Sequence, residues 1–118
     1  MNPDSGSARA RLLHMLEACG RTANFVEDRR REDLDRDEML RLALQYLVLM
    51  LGEAAKHIPR EIQAKASDIP WRAVIASRDR MAHGYFDINL DMLWVMASVD
   101  IPALQEGLTR LLEQEEAE

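Results

Sequence analysis

The fold of this protein is decided by residues 36–57, which read RDEMLRLALQYLVLMLGEAAKH. Apolar residues recur there every three or four positions, the spacing that gathers them on one face of an α-helix. The expected stripe is Leu40, Ala43, Leu47, Met50 and Ala54. Further apolar residues lie off this stripe, namely Leu42, Leu44, Val48, Leu49 and Leu51. Because a helix that is apolar on every side must be covered on every side, we expect part of it to form a subunit interface. The alternative is a central helix with ordinary core packing.

The sequence before and after this helix sets its boundaries, and no stretch alternates with the period of two that is typical of a strand. A first helix is expected from about Ser7 to Asp28. The central helix is expected over about 36–57, with Asp35 as its N-cap. Pro59 then breaks the helix, because proline lacks a backbone donor and disfavours helical geometry in the residue before it.

Two more helices are expected in the second half of the chain, after one short helical turn. Pro70 suits the first position of a third helix, and Gly84 suits its end. Asp87 or Asn89 then begins a fourth helix, which Pro102 kinks or resets. The expected architecture is an all-α, up-and-down four-helix bundle with a short extra helical turn.

Length and composition limit the class of protein. A chain of 118 residues is expected to form one domain over residues 1–118. Its single cysteine, Cys19, excludes an intrachain disulfide and the cysteine-rich zinc motifs. The first ten residues lack the apolar core of a signal peptide, and the longest apolar stretch, residues 42–51, is too short to span a membrane. A cytoplasmic protein is therefore expected. Its formal net charge of −6 means that any binding of RNA must depend on a local basic site.

The segment with the most chemical potential is residues 77–86, which read SRDRMAHGYF. Arg78 supplies a planar cation that can pair with a phosphate through two hydrogen bonds. His83 can exchange a proton near neutral pH. A proton-transfer group and a cation beside the phosphate are what RNA cleavage without a metal requires. The residue types alone also fit a plainer interpretation, in which His83 caps the helix end and Tyr85 lies in the core.

These residues stand within a longer pattern that resembles a known family. The matching segments are IPWR (69–72), RDRMAHGYFD (78–87), the upstream GEAAKHIP (52–59), and the downstream LW (93–94) and DIPAL (100–104). In this order and spacing they resemble the HepT-like branch of the HEPN superfamily over about residues 39–112. Members of this branch are small all-α ribonucleases, generally the toxins of bacterial toxin–antitoxin pairs.

The resemblance implies a homodimer in which two Arg-x4-His motifs line one cleft and cut RNA without a metal or other cofactor. Arg78 would contact the scissile phosphate, and His83 would act as general acid and base. The family's partner is an antitoxin that is a minimal nucleotidyltransferase. By resemblance, it would neutralise this protein by transferring AMP to Tyr85, placing phosphate beside Arg78 and His83.

Two acidic residues are expected to support the cleft. Glu53 lies in the matching GEAAKHIP segment, although its spacing from His57 also fits part of a metal site or a simple helix-end pair. Asp79 departs from the family pattern, in which asparagine more often follows the motif arginine. Its carboxylate could pair with Arg78 and weaken the attraction for phosphate, or it could orient His83. This departure and the acidic net charge keep a second hypothesis open: a catalytically silent module that docks a nucleotidyltransferase or a nucleotide.

Overall fold

A computed structural model describes the backbone of residues 3–83 and 88–117 and the side chains of residues 8–81 and 88–116. The elements in chain order are α1 (Pro3–Val26), α2 (Asp33–Arg36), α3 (Glu38–Lys56), α4 (Arg60–Ala64), α5 (Trp71–His83), α6 (Leu90–Val95), a π-helical segment (Met96–Asp100) and α7 (Ile101–Ala117). The described residues contain no β-strand, so the prediction of an all-α fold is confirmed. Within these residues, no helix is both long and apolar enough to cross a membrane.

The helices differ in number from the four that were expected. α1, α3 and α5 match the first three, whereas the fourth is divided by the π-helical segment into α6 and α7. α4 corresponds to the expected short helical turn, and α2, which precedes the central helix, was not expected. The π-helical segment ends just before α7, whose second residue is Pro102. The wider turn thus changes the helical register beside a residue that cannot donate a backbone hydrogen bond.

The N-cap of the central helix is also different from the predicted one. Asp35 lies inside α2, and the cap is Asp37, whose carboxylate accepts a hydrogen bond from the backbone N–H of Leu40 at 3.0 Å. Aspartates stand at positions 33, 35 and 37, and any of them has a side chain suited to capping. The choice falls on Asp37 because its backbone is extended, with φ −111° and ψ 94°.

α3 is the central helix of the bundle because it packs against both α1 and α5, while α7 packs against α1. The buried residues of α3 are Leu40, Leu44, Leu47, Val48, Leu51, Gly52 and Ala55. Ala43, Met50 and Ala54 of the expected stripe are only partly buried. The buried face is therefore rotated from the predicted one, because apolar residues on every side of α3 leave its inner face undetermined by periodicity.

One face of α3 remains uncovered in the single chain. Met39 is 82% exposed, Leu42 is 55% exposed and Tyr46 is 58% exposed. Their spacing of three and four residues places them on one side of the helix. The core of one chain does not cover this face.

The connection from α3 to α5 is fixed by hydrogen bonds to backbone carbonyls. The indole N–H of Trp71 donates to the carbonyls of Gln63 at 3.2 Å and Ala66 at 3.1 Å. The side-chain amide of Gln63 donates to the carbonyls of Ala55 at 3.3 Å and Ile58 at 3.0 Å. These bonds hold α4 against the end of α3 and the start of α5. The relative position of α3 and α5 determines the candidate site.

Candidate functional site

The site forms where α3 and α5 come closest, at Gly52. A Cβ atom on Gly52 would lie 2.3 Å from Cβ of Arg78 and 2.9 Å from the carbonyl oxygen of Val74. Both distances are shorter than van der Waals contact, and one of the atoms belongs to backbone, so the crossing has room only for glycine. This close approach places Arg78 of α5 beside Glu53, the residue after Gly52.

Arg78 is held by two carboxylates. Its Nε lies 3.0 Å from Oε2 of Glu53, and its Nη1 donates a hydrogen bond to Oδ1 of Asp79 at 3.0 Å. The Nε and Oε2 atoms are shielded from solvent and form an ion pair without the alignment of a full hydrogen bond. The hydrogen bond that Arg78 donates to Asp79 and the charge of Glu53 raise the pKa of Arg78, so the guanidinium stays charged.

Glu53 also contacts a third residue. Its Oε1 accepts a hydrogen bond from Nε2 of His57, one helical turn later, at 3.3 Å. Glu53 therefore bridges His57 and Arg78, with one carboxylate oxygen toward each. The helix-end pair that the spacing allowed is thus present. No group of three or more histidine, cysteine, aspartate or glutamate side chains that could hold a metal occurs in the described part of the chain.

The charges around Arg78 limit what it can bind. One guanidinium between two carboxylates leaves a net charge of −1 for the three side chains. An arginine has five N–H donors, and the contacts with Glu53 and Asp79 use Nε and Nη1. A phosphate that approached Arg78 would use the N–H donors that these two contacts leave. Such a phosphate would share Arg78 with Glu53 and compete with Asp79.

Two predicted site residues fall partly or wholly outside the described residues. His83 is the last residue of α5, and its side chain lies outside the described part; Tyr85 lies outside it altogether. α5 remains helical from Arg78 through His83. Five residues of ideal helix separate the two Cα positions by about 140° around the axis and about 7.5 Å along it. The structure thus brings together Arg78, Asp79 and Glu53.

Sequence reasoning missed the roles of Gly52 and His57 in this arrangement. Gly52 was part of the matching segment, but the need for glycine there comes from the close approach of α5 at Arg78, 26 positions later in the sequence. A glycine inside a long apolar helix is the signal that could have found the crossing, because glycine is unfavourable there without a packing reason.

Comparison with known proteins gives the family. A family model described as Ribonuclease HepT-like matches residues 15–111, which include the whole α3–α5 crossing. The chain is 31% identical over 107 residues to a protein named as a candidate RNase from Caldanaerobacter subterraneus subsp. tengcongensis, covering 91% of this chain and 96% of that protein. It is 30% identical over 100 residues to a "Probable ribonuclease HepT" from Thermococcus cleftensis, covering 81% of this chain and 91% of that protein. No solved structure matches it. The chain belongs to the HepT-like ribonuclease family.

Proposed function

We propose that this protein is an endoribonuclease that cuts RNA without a metal or other cofactor, with Arg78 and His83 as its catalytic residues. The observation that carries the proposal is the shielded ion pair between Arg78 and Glu53. It fixes a permanent cation at the α3–α5 crossing, five residues before a histidine at the end of the same helix. Membership of a ribonuclease family supports RNA as the substrate.

The proposed reaction needs one proton-transfer group and one cation. The 2′-oxygen of the substrate attacks the adjacent phosphorus, and the bond from phosphorus to the 5′-oxygen of the next nucleotide breaks. His83 takes the proton of the 2′-hydroxyl as general base and delivers a proton to the leaving 5′-oxygen as general acid. Arg78 stabilises the extra negative charge on the phosphorus oxygens in the transition state. The products are a cyclic 2′,3′-phosphate and a 5′-hydroxyl.

We further propose that the active unit is a homodimer formed through α3. The exposed apolar face of Met39, Leu42 and Tyr46 supports this, because such a face is stabilised when another subunit covers it. The divergence of Arg78 and His83 by about 140° also favours a cleft to which two chains contribute. A standard interface buries about 800 Å² per partner. Sedimentation should give a dimer at micromolar concentration, and a monomer would contradict the shared cleft.

The proposed cellular role is that of a cytoplasmic toxin paired with an antitoxin. In this proposal, a minimal nucleotidyltransferase transfers AMP from ATP to the hydroxyl of Tyr85 and releases pyrophosphate. The added phosphate would occupy the anion site beside Arg78 and repel an RNA strand. Co-expression with the nucleotidyltransferase of the neighbouring reading frame, followed by intact-mass measurement, tests this role. The added mass of AMP should be found on the wild type and be absent from Tyr85→Phe; its presence on that variant would exclude Tyr85 as the target.

One observation favours a second candidate function, a silent module that docks a nucleotidyltransferase or a nucleotide. Asp79 already accepts a hydrogen bond from Nη1 of Arg78, and the carboxylates of Asp79 and Glu53 together carry more negative charge than the guanidinium carries positive charge. A cleavage assay with purified protein separates the two functions. The ribonuclease proposal expects RNA fragments with 2′,3′-cyclic phosphate ends from the wild type and a loss of about 10²–10⁴-fold in rate for His83→Ala. A wild type that binds RNA or nucleotide and does not cut would favour the silent module.

A further inference from the structure

A second positively charged feature lies on the same pair of helices. The end of α3, α4 and the first half of α5 enclose an open groove of about 660 Å³. Its floor includes Ile58, Trp71 and Ile75, and its charged lining residues are Lys56, Arg60 and Arg72. The lining thus contains three cations and no acidic side chain, in a protein whose net charge is −6.

The three cations are available to a ligand. All three residues are exposed, and none forms an ion pair with a described residue. Three arginines elsewhere on the surface are ion-paired: Arg9 with Glu116, Arg21 with Glu17 and Arg29 with Asp37. Asp68, which follows the groove residue Ser67, is paired with Arg110 at 2.6 Å. Like charges gathered without counter-charges attract an anion.

The groove lies along the same two helices as the Arg78 site. Gly52 and Glu53 of α3 meet Arg78 of α5, whereas Lys56, at the end of α3, and Ile58, just beyond it, line the groove with residues from the start of α5, Trp71, Arg72 and Ile75. The two helices therefore run antiparallel. Lys56 lies three residues beyond Glu53, about 4.5 Å along its helix, and Arg72 lies six residues before Arg78, about 9 Å along its own. An RNA strand bound at Arg78 would therefore lie within one or two helical turns of the groove.

The groove is also preformed. The hydrogen bonds from Trp71 to the carbonyls of Gln63 and Ala66 fix its floor, and those from Gln63 fix α4 against α3. A preformed surface loses little conformational entropy when a ligand binds.

We infer that this groove binds the phosphate backbone of the RNA substrate on one side of the cleavage position, with Lys56, Arg60 and Arg72 as its phosphate contacts. The inference rests on the proposed ribonuclease function and extends it. Three cations spread around an open groove fit a polyanionic strand better than a single small anion. Contacts of this kind are independent of sequence and sensitive to salt, and they raise affinity without taking part in bond cleavage.

The test compares two triple variants with the same change in charge. The groove variant carries Lys56→Gln, Arg60→Gln and Arg72→Gln, and the control carries Arg9→Gln, Arg21→Gln and Arg29→Gln. Each is combined with His83→Ala, so that binding of a fluorescent single-stranded RNA can be titrated between 50 and 200 mM salt without cutting. The groove variant should lose about tenfold to a hundredfold in affinity. Its salt slope should fall by about 2, since each phosphate contact on a single strand contributes about 0.7. The control should stay near the parent.

A second measurement separates the groove from the cleavage site. With His83 intact, the groove variant should show a raised KM on the long RNA and an unchanged rate on a pool of dinucleotides, which have one phosphodiester each. Three results would overturn the inference: the groove variant loses as much activity on dinucleotides as on the long RNA, the control variant loses as much RNA affinity as the groove variant, or the groove variant keeps its RNA affinity. The third result would favour an acidic protein partner as the ligand of the groove. In each of those cases, cleavage by the wild type would leave the proposed function standing. A wild type that cuts neither substrate would instead contradict the proposed function itself.

Discussion

The two groups of basic side chains along the α3–α5 pair differ in how their charge is balanced. Arg78 has a carboxylate on two sides, from Glu53 and Asp79. Lys56, Arg60 and Arg72 line the neighbouring groove and pair with no described carboxylate. A paired cation is held in one geometry but attracts phosphate less, whereas an unpaired one attracts phosphate without being held. In the proposed function, Arg78 is the positioned group for chemistry, and the three exposed cations of the groove recruit the RNA.

The largest effect is expected where the positioned cation is removed. Arg78→Ala and Arg78→Lys should each lower the cleavage rate by about 10²–10³-fold. Alanine removes the cation, and lysine keeps the charge but lacks the planar guanidinium that can form two hydrogen bonds with a phosphate. Arg78→Ala should also lower the melting temperature, since it leaves the shielded Oε2 of Glu53 without a cation. Arg110→Ala, which removes an exposed pairing with Asp68, is the matched control and should leave the rate unchanged. An equal loss of cleavage rate in Arg110→Ala would show that Arg78 has no specific role in the reaction.

A smaller loss is expected when the position of Arg78 is disturbed and the residue itself is kept. Gly52→Ala places a Cβ 2.3 Å from that of Arg78 and should push α3 and α5 apart. We expect the cleavage rate to fall by about tenfold or more, because displacements near 1 Å can cost about a hundredfold. In Gly20→Ala, the new Cβ meets nothing within 4 Å. That variant should be stabilised by up to about 1 kcal/mol through helix propensity, with full activity. Thermal unfolding and cleavage rates measured together check both, and an active Gly52→Ala would exclude a role for the close crossing.

The two carboxylates on Arg78 should have opposite effects on the reaction. Glu53→Gln keeps the shape of the side chain and removes the charge that positions Arg78, so the rate should fall by about threefold to tenfold. Asp79→Asn removes the carboxylate that competes with phosphate, so the KM for RNA should fall by a similar factor. Steady-state kinetics on one RNA compare the two variants directly. Equal effects of the two substitutions, in either direction, would contradict the assignment of a positioning role to Glu53 and a competing role to Asp79.

The smallest effect concerns Asp68, at the border between the groove and the paired surface. The hydrogen bond from Arg110 lowers the pKa of Asp68 below its usual range. Its contribution to stability is therefore present above the pKa of about 3.9 that aspartate has in the unfolded chain, and it is lost as the pH falls through the lower folded value. Asp68→Asn should lower the melting temperature by a few degrees at most at pH 7 and by less near pH 2. A difference that does not shrink on acidification would show that the pair contributes nothing through charge.

Much of the fold could be predicted from the sequence because the signals are local. Periodicity predicts α1, α3 and α5, and Asn89 is confirmed as the N-cap of α6, where its side chain accepts a hydrogen bond from the N–H of Met92. Which of the aspartates at 33, 35 and 37 caps α3 depends on backbone geometry, which the residue types do not determine. The buried face of α3 could not be predicted, because only its neighbours decide which of its apolar sides is covered.

The site was predicted as a set of residues and not as an arrangement. The resemblance named Arg78 and Glu53, but their contact depends on a helix crossing between positions that are distant in sequence. The groove was not predicted at all. Lys56, Arg60 and Arg72 stand on three different helices, and they face one space only because Trp71 and Gln63 fold α4 back against α3. Hydrogen bonds between side chains and distant backbone carbonyls produce no periodic pattern in the sequence from which they could be predicted.

The central claim is that Arg78 and His83 cut RNA without a metal. It is tested most directly by cleavage of one RNA in excess EDTA, with the wild type and His83→Ala side by side. The account predicts that the wild type keeps its rate in EDTA and that His83→Ala is slower by about 10²–10⁴-fold. Complete loss of wild-type cleavage on chelation, restored by Mg²⁺ or Mn²⁺, would contradict the account, as would a His83→Ala variant as active as the wild type.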